Sequence, residues 1–291
     1  MSTALPLALI STAFSSPPSS HAIGCAATLA LYDELALAPK PGLVSFVDNG
    51  SHDDMDAHTF MRSLMALRHY FVQIAELGEA HAPFNALEAC GIAAEARMLE
   101  ATGGVNTHRG AVFTLGLLCA AAGAARRDGE PARPATLRTA LRRHWGDALQ
   151  ARSHRISTLP GGIAARRHGL RSASQEAALG FPVLFDTAVP TLFRSVRRGL
   201  SPEQARVDTL FAVMAVLDDS NLAHRGGIQG LRNAQQAARD FLAKGGAAGQ
   251  GGMEAAHAVH RDFVALRLSP GGAADTLAAA CWMQRICGVA E

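Results

Sequence analysis

The sequence predicts an all-α fold, a multi-helix globular bundle with central apolar helices. Three observations predict it. Apolar residues recur at spacings of three and four over much of the 291-residue chain. Alternating, strand-like stretches are nearly absent while alanine is abundant. Two segments, GAVFTLGLLCAAAG (110–123) and VDTLFAVMAVL (207–217), are apolar on every face, as suits helices wrapped by other helices. With 48% hydrophobic and 18% charged residues, the chain can bury a large core and does not resemble a disordered one.

Taken in order, residues 1–20 (MSTALPLALISTAFSSPPSS) lack the basic start of a secretory signal and read as a loose N-terminal tail. Residues 21–291 are expected to form a single helical domain. Residues 21–37 carry a helical pattern that stops ahead of Pro39. A loop follows, and then an amphipathic helix is expected over 55–77, with Phe60, Leu64, Leu67, Phe71 and Ile74 on one face. Further helices are predicted at 84–100, 110–126, 134–149, 183–198, 202–217, 227–243, 253–267 and 271–287. The stretches RRDGEPARP (126–134) and KGGAAGQGG (244–252) read as flexible connections.

Composition narrows the function classes. No apolar run reaches the roughly 20 residues of a membrane span, so no membrane partner is expected. Five cysteines, odd in number and without a C-x-x-C pair, suggest neither a disulfide framework nor a zinc site, and point to a reducing cytoplasm. A net charge of +2 with 5% aromatics offers no platform for nucleic acid. Arginines outnumber acids from Arg126 to Arg198; a solvated helix surface is the favoured reading over a surface for polyanionic ligands. Lysine occurs only at Lys40 and Lys244, and in APKPG the flanking prolines hold the Lys40 backbone extended, with its ammonium projecting from a stiff segment.

Several polar clusters each join a glycine-containing loop to a helix boundary. In GSHDDMD (50–56), Ser51 or Asp54 can cap the following helix. Capping needs only one of them, so His52, Asp53, Asp54 and Asp56 together suggest Mg²⁺ or substrate. In ATGGVNTHRGA (101–111), Gly103 and Gly104 allow close backbone approach, Asn106, Thr107 and the helix-start amides offer an anion site, and His108 and Arg109 add donors. In DDSNLAHRGG (218–227), Asp218 and Asp219 are read as ending the preceding helix, where their charge opposes the dipole unless a cation or arginine relieves it. Asn221, His224 and Arg225 then lead into the next helix as a second phosphate cradle. Glu176, in HGLRSASQEAALGFP (168–182), reads alone as an ordinary solvated glutamate. The turn in LSPGGAADTLAAA (268–280) opens the last helix, with Ser269 and Asp275 as structural residues. Walker A, G-x-S-x-G and Rossmann patterns are all absent. The clusters together are equipment for phosphorylated ligands with a divalent metal.

PKPGLV, GSHDDMD, ATGGVNTHRGA, EAALGFP, DDSNLAHRGG and LSPGGAAD, in this order and over nearly the whole chain after the tail, resemble the triphosphoribosyl-dephospho-CoA synthase family. The resemblance implies an enzyme that joins ATP to 3′-dephospho-CoA with release of adenine. Its product is the prosthetic-group precursor for the acyl carrier subunit of malonate decarboxylase or citrate lyase, handed on to a carrier-protein phosphoribosyl transferase. Where the family reads close to G-A-R-G-E-A, this chain has Ser172, Ala173, Ser174, Gln175, Glu176 and Ala177. That departure, with NTHRG in place of NTHKG, leans towards the malonate decarboxylase branch.

Displacement at the anomeric carbon passes through an oxocarbenium-like transition state that wants a nearby carboxylate, a base, an acid and clamps for the triphosphate. On this reading Lys40, Asn106, His108, Arg109 and Arg225 hold the triphosphate and its Mg²⁺, with Gly103, Gly104, Thr107 and Asn221 completing the nucleotide cradle. Asp53, Asp54, Asp218 and Asp219 face the metal. The base or oxocarbenium stabiliser comes from Asp53, Glu100, Glu176 and Asp219. The rival readings are a magnesium-dependent ADP-ribosyl hydrolase, with water as acceptor, and a non-catalytic nucleotide- or CoA-binding protein.

Overall fold

The computed structural model describes residues 17–288; most of the expected tail, residues 1–16, and residues 289–291 lie outside the described residues. Among the described residues there are twelve α-helices and no strand, in agreement with the expected class. α1 (Ser20–Ala36) begins where the Ser19 hydroxyl accepts from the Ala22 N–H, a serine cap of the preferred kind. α2 (Ala57–Glu79) is capped by Asp56, whose Oδ1 accepts from the Thr59 N–H and hydroxyl, rather than by Ser51 or Asp54. α3 (Phe84–Ala101), α4 (Arg109–Arg127) and α5 (Pro134–Ser153) follow close to their expected bounds.

The two segments apolar all round are central, as their composition requires. Thirteen of the nineteen residues of α4 and eight of the thirteen of α9 (Pro202–Met214) are buried, so neither helix keeps a solvent face. α4 packs on α2 and on α12 (Gly271–Cys287), and α1 packs on α2 and α12. Buried polar atoms tie these helices together: Tyr70 donates to the Val112 carbonyl at 2.9 Å and Trp282 Nε1 to the Ile23 carbonyl at 3.2 Å. Asp33 of α1 binds Arg285 of α12 and Arg206 of α9.

Glycines set how closely α2 and α4 cross. A Cβ on Gly78 would lie 2.0 Å from the Ala120 carbonyl oxygen, and one on Gly123 would lie 2.0 Å from that of Ala75. The two backbones therefore touch, each glycine facing the other helix.

Differences from the expected elements have local causes. Two short helices, α6 (Pro160–His168) and α7 (Ala173–Ala178), were not anticipated, although Pro160 and the Ser172–Gln175 capping box are start signals. The helix expected at 183–198 is π-helical over Val183–Ala188 before α8 (Val189–Arg197). Pro190 has no N–H to return to residue 186, and the turn ahead of it widens. α10 (Ser220–Ala243) starts seven residues early and is interrupted at Gly227 (φ 64°, ψ −171°). The glycine-rich stretch ahead of α11 (Gly252–Ala265) is pinned rather than loose: Asp208 accepts from the Ala247 N–H at 2.7 Å, and Gly246 and Ala247 are buried.

Replacing Gly123 with alanine should force the α2–α4 crossing apart and destabilise the protein by roughly 1–3 kcal/mol, while an alanine at Gly129, which has nothing within 4 Å, meets only the strain of its positive φ. Chemical denaturation of both variants checks this; equal losses would refute the close crossing.

Candidate active site

Three helix starts converge, those of α4, α10 and α12, and each brings unpaired N–H groups with partial positive charge. Asp219 answers two of them. Its Oδ1 accepts from the Asn221 and Leu222 N–H groups at 2.9 and 3.3 Å, and its Oδ2 from Ala273 N–H at 3.0 Å. α9 ends at Met214, so Asp219 caps the start of α10 instead of opposing the end of the preceding helix. The dipole therefore favours its charge, and the expected need for a relieving cation disappears. Asp275 answers the third start: it is held by the Ala111 N–H and presses on Gly110, where a Cβ would lie 1.9 Å from its carboxylate. The acceptors at these helix starts are ones the chain supplies itself.

Burial pushes Asp219 up to about 6, against the pull of its backbone donors. Asp275 lies deep in the protein yet opens onto a cleft. Its carboxyl is raised well above the usual range by burial first, then by the negative charges of Glu34 and Asp219.

Glu34, near the end of α1 and only 4% exposed, is the third acid. Lys40 Nζ donates to Glu34 Oε1 at 2.6 Å and to the Glu34 carbonyl at 2.7 Å. The Lys40 ammonium thus turns inward beneath Glu34 rather than projecting towards a triphosphate, and burial lowers its pKa despite that partner. His108 is 3% exposed. Thr107 donates to Ser63 Oγ at 2.7 Å, and Ser63 Oγ lies 2.6 Å from His108 Nδ1. A relay in which Ser63 donates to Nδ1 leaves the proton on Nε2, which is buried and without a partner. Burial and then the nearby Lys40 push this imidazole down to about 3, so it is neutral. Arg225 donates to His52 Nδ1 at 3.1 Å and to the Ser51 and Arg267 carbonyls, and His52 Nε2 then donates to Ser269 at 2.9 Å.

Of these groups, Glu34, His52, His108, Arg225 and Asp275 line one end of a cleft of about 1190 Å³, larger than the roughly 300–1,000 Å³ typical of a single small ligand. At the other end lie Arg152, Arg155 and Arg166 with the apolar Ile92, Phe113 and Ile156. Arg152 stands over the Phe113 ring and pairs with Glu88, as does Arg155. Part of the arginine-rich run therefore also faces the cleft, although Arg155 and Arg166 remain exposed to solvent, as the favoured reading of the run expects. A smaller cavity of about 140 Å³ adjoins, reached by Asp218, Asp219 and Glu176.

Of the residues expected at the site, Asn106, Thr107, His108, Arg109, Asn221 and Arg225 do line the cleft. Asn106 Oδ1 accepts from the Arg109 N–H, and the Arg109 side chain pairs with Glu95. Others do not reach it. Gly103 and Gly104 close the end of α3, with the Gly104 N–H donating to the Leu99 carbonyl at 2.7 Å. Glu100 is exposed in the last turn of α3, and the Asp53 and Asp54 side chains face solvent, Asp53 paired with Arg267. Glu176 accepts from the Val183 N–H and from Arg171, and Asp218 accepts from the Arg171 N–H. The four aspartates assigned to Mg²⁺ therefore do not fit one ion: two face solvent and the other two spend carboxylate oxygens on backbone N–H groups. The sequence reading missed Glu34 and Ser63 and took Asp275 as structural. Glu34 carried one signal, an acid near a helix C-terminus where the dipole disfavours it, six residues before a lysine.

Residues 20–290 match the model of the family described as ATP:dephospho-CoA triphosphoribosyl transferase. A protein of Pseudomonas paraeruginosa named "Probable 2-(5''-triphosphoribosyl)-3'-dephosphocoenzyme-A synthase" is 38% identical over 272 residues, 88% of each chain. Proteins of the same name from Acinetobacter calcoaceticus and Pseudomonas aeruginosa are 35% and 39% identical over 89% and 88% of each chain. No solved structure matches. No helix among the described residues is long and apolar enough to cross a membrane.

With its folded pKa raised above the unfolded 3.8 to about 6, Asp219 favours folding fully below 3.8, and that contribution is lost as pH rises through about 6. The stability of the native protein relative to Asp219→Asn should therefore fall by up to about 3 kcal/mol between pH ~4 and ~7. Denaturant titrations of both proteins across that range check it, and a difference flat in pH would contradict the assignment.

Proposed function

The chain belongs to the ATP:dephospho-CoA triphosphoribosyl transferase family, and from that premise we propose how its cleft performs the transfer. The 2′-hydroxyl oxygen of 3′-dephospho-CoA bonds to C1″ of the ATP ribose, the C1″–N9 bond breaks, and adenine leaves while the triphosphate stays on the sugar. Glu34 lies beside the developing positive charge and takes the hydroxyl proton. Asp275, its carboxyl raised well above the usual range by burial and by the charges of Glu34 and Asp219, is the acid that gives its proton to the departing adenine. The proton then returns from Glu34 to Asp275, and the site is restored. Lys40 holds Glu34 in place from beneath.

The observation that carries this reading is the Glu34–Asp275 pair at the cleft wall, two acids close enough that the charge of one raises the pKa of the other. Neighbouring carboxyls driven apart in proton affinity are the usual basis for a division into acid and base. The triphosphate and ribose of ATP lie at the same end, against Asn106, Asn221, Arg225 and the unpartnered His108 Nε2–H. Arg152, Arg155 and Arg166 take the diphosphate of dephospho-CoA, and Ile92 and Ile156 its pantetheine arm. A volume above the single-ligand range supports two substrates side by side.

Mg²⁺ arriving with ATP is liganded mainly by phosphate oxygens and water, and no step here is routed through it. The carrier is that of malonate decarboxylase rather than citrate lyase on the support of Arg109 and the 172–175 segment. The product passes to a transferase that loads the carrier. Cytoplasm is the location that fits both substrates and the free thiols.

Protein given ATP, Mg²⁺ and 3′-dephospho-CoA should release adenine and form the triphosphoribosyl adduct, followed by chromatography and mass spectrometry. Glu34→Gln and Asp275→Asn should each lower kcat by about 10²–10⁴-fold, whereas Arg155→Ala should raise KM for dephospho-CoA and leave KM for ATP in place. Full turnover in both acid variants would refute their roles. Adenine with free ribose triphosphate would make the enzyme a hydrolase.

A further inference from the structure

Away from the cleft, the C-terminal ends of α2 and α4 and the middle of α5 bring together His81, Asp128 and His144. Among the described residues this is the trio of His, Cys, Asp or Glu whose ligand atoms all lie within 4.8 Å of one another. His81 Nε2 is 3.0 Å from Asp128 Oδ1, and His144 Nε2 is 3.1 Å from Asp128 Oδ2. The two imidazole rings stack with centroids 4.3 Å apart.

The backbone at His81 supplies an independent observation. α2 ends in a Schellman turn, with the Ala82 N–H donating to the Leu77 carbonyl and the His81 N–H to that of Gly78. This places residue 81 at φ 50°, in the left-handed region where glycine is the usual choice. The chain does use glycine at the matching positions after α3, α4, α6, α7 and α8: Gly103, Gly129, Gly169, Gly180 and Gly199 all have positive φ. Arg267, at φ 54° after α11, is an exception whose side chain pairs with Asp53. At His81 the turn instead carries an imidazole, which it directs at Asp128. The other ligands are also anchored: Asp128 is the C-cap of α4, and Trp145, next to His144, donates to the Ala82 carbonyl at 2.9 Å.

We propose that His81, Asp128 and His144 form a binding site for a borderline divalent transition metal such as Zn²⁺, which ties the ends of α2 and α4 to the middle of α5. Two imidazole nitrogens and one carboxylate oxygen are the donor set such ions favour, with water completing the tetrahedron. For the ion to bind through Nε2, the single proton of each neutral ring moves from Nε2 to Nδ1, so no proton leaves the site. Arg143, 3.3 Å from Asp128 Oδ2, opposes the cation, but Glu130 at 3.0 Å holds it when that oxygen turns to the metal. None of the three ligands lines the cleft, so the role is structural.

His81→Gly separates the metal role from the fold, because glycine relieves the strained φ and leaves the turn intact. Chelator-treated full-length protein is titrated with Zn²⁺ by calorimetry, and with Co²⁺ by its visible spectrum. The native protein should bind one more equivalent than His81→Gly, give a tetrahedral Co²⁺ band that the variant lacks, and gain several degrees in Tm with Zn²⁺. The variant should show no such gain, an unchanged or higher metal-free Tm, and native triphosphoribosyl transfer. Equal stoichiometry and equal Tm response in the two proteins, or no binding to either, would overturn the proposal.

Discussion

The convergence of three helix starts is the constraint on which the cleft depends. Unpaired N–H groups at the ends of α4, α10 and α12 would be costly if buried without acceptors. Asp219 and Asp275 resolve this from inside the chain, Asp219 bridging α10 to α12 and Asp275 bridging α12 to α4. Two carboxyls that settle a structural need are thereby held in a low-dielectric corner, where burial raises the proton affinity of both and the charge of Asp219 adds to that of Asp275. The same placement that completes the helices thus prepares an acid for chemistry.

The packing behind the site makes that geometry stiff. α2 and α4 meet through glycines with backbone in contact, and α1, α9 and α12 are clamped by Asp33 with Arg206 and Arg285. Ser63, on α2, sits against His108 at the start of α4, so the spacing of one helix pair fixes the tautomer and direction of an imidazole at the cleft. Close-packed interiors respond to a single added methyl, and a displacement of α2 from α4 would move Ser63 away from the ring.

Most of the helical order was legible because burial imprints a period on the sequence. The all-apolar runs identified α4 and α9 as central, and GGVNTHRG and SNLAHRGG brought Asn106, His108, Asn221 and Arg225 to one place. What was not legible depended on tertiary partners. Asp219 looked like a helix end because the apolar run continues to Leu217, whereas the helix stops at Met214 and the aspartate caps the next one. Lys40 looked like a projecting ammonium, but its partner Glu34 is in the preceding helix and turns it inward. Asp275 looked like a structural residue near the start of the last helix, since nothing local says that the start of α4 lies against it. Arg152, Arg155 and Arg166 have the composition of a surface, and only the tertiary placement of the end of α5 and of α6, which packs on α10, gives them a cleft to face.

The buried Glu34–Lys40 pair then has a reason beyond stability. Replacing a buried ion pair by apolar residues is often neutral or favourable to folding, so the pair is weak evidence for a stabilising role. What it does supply is a carboxylate with one oxygen taken and its side chain fixed, while the cation that neutralises it lies on the far side from the cleft. A ribose cation forming in the cleft meets the negative end of this dipole, and Lys40 stays shielded behind it. Had Lys40 projected outward, as the stiff APKPG segment suggested, its charge would have favoured a resting triphosphate but opposed the oxocarbenium ion. Turned inward, it serves the transition state of the proposed mechanism through Glu34, and that mechanism gives triphosphate binding to other donors that line the cleft, His108 and Arg225 among them.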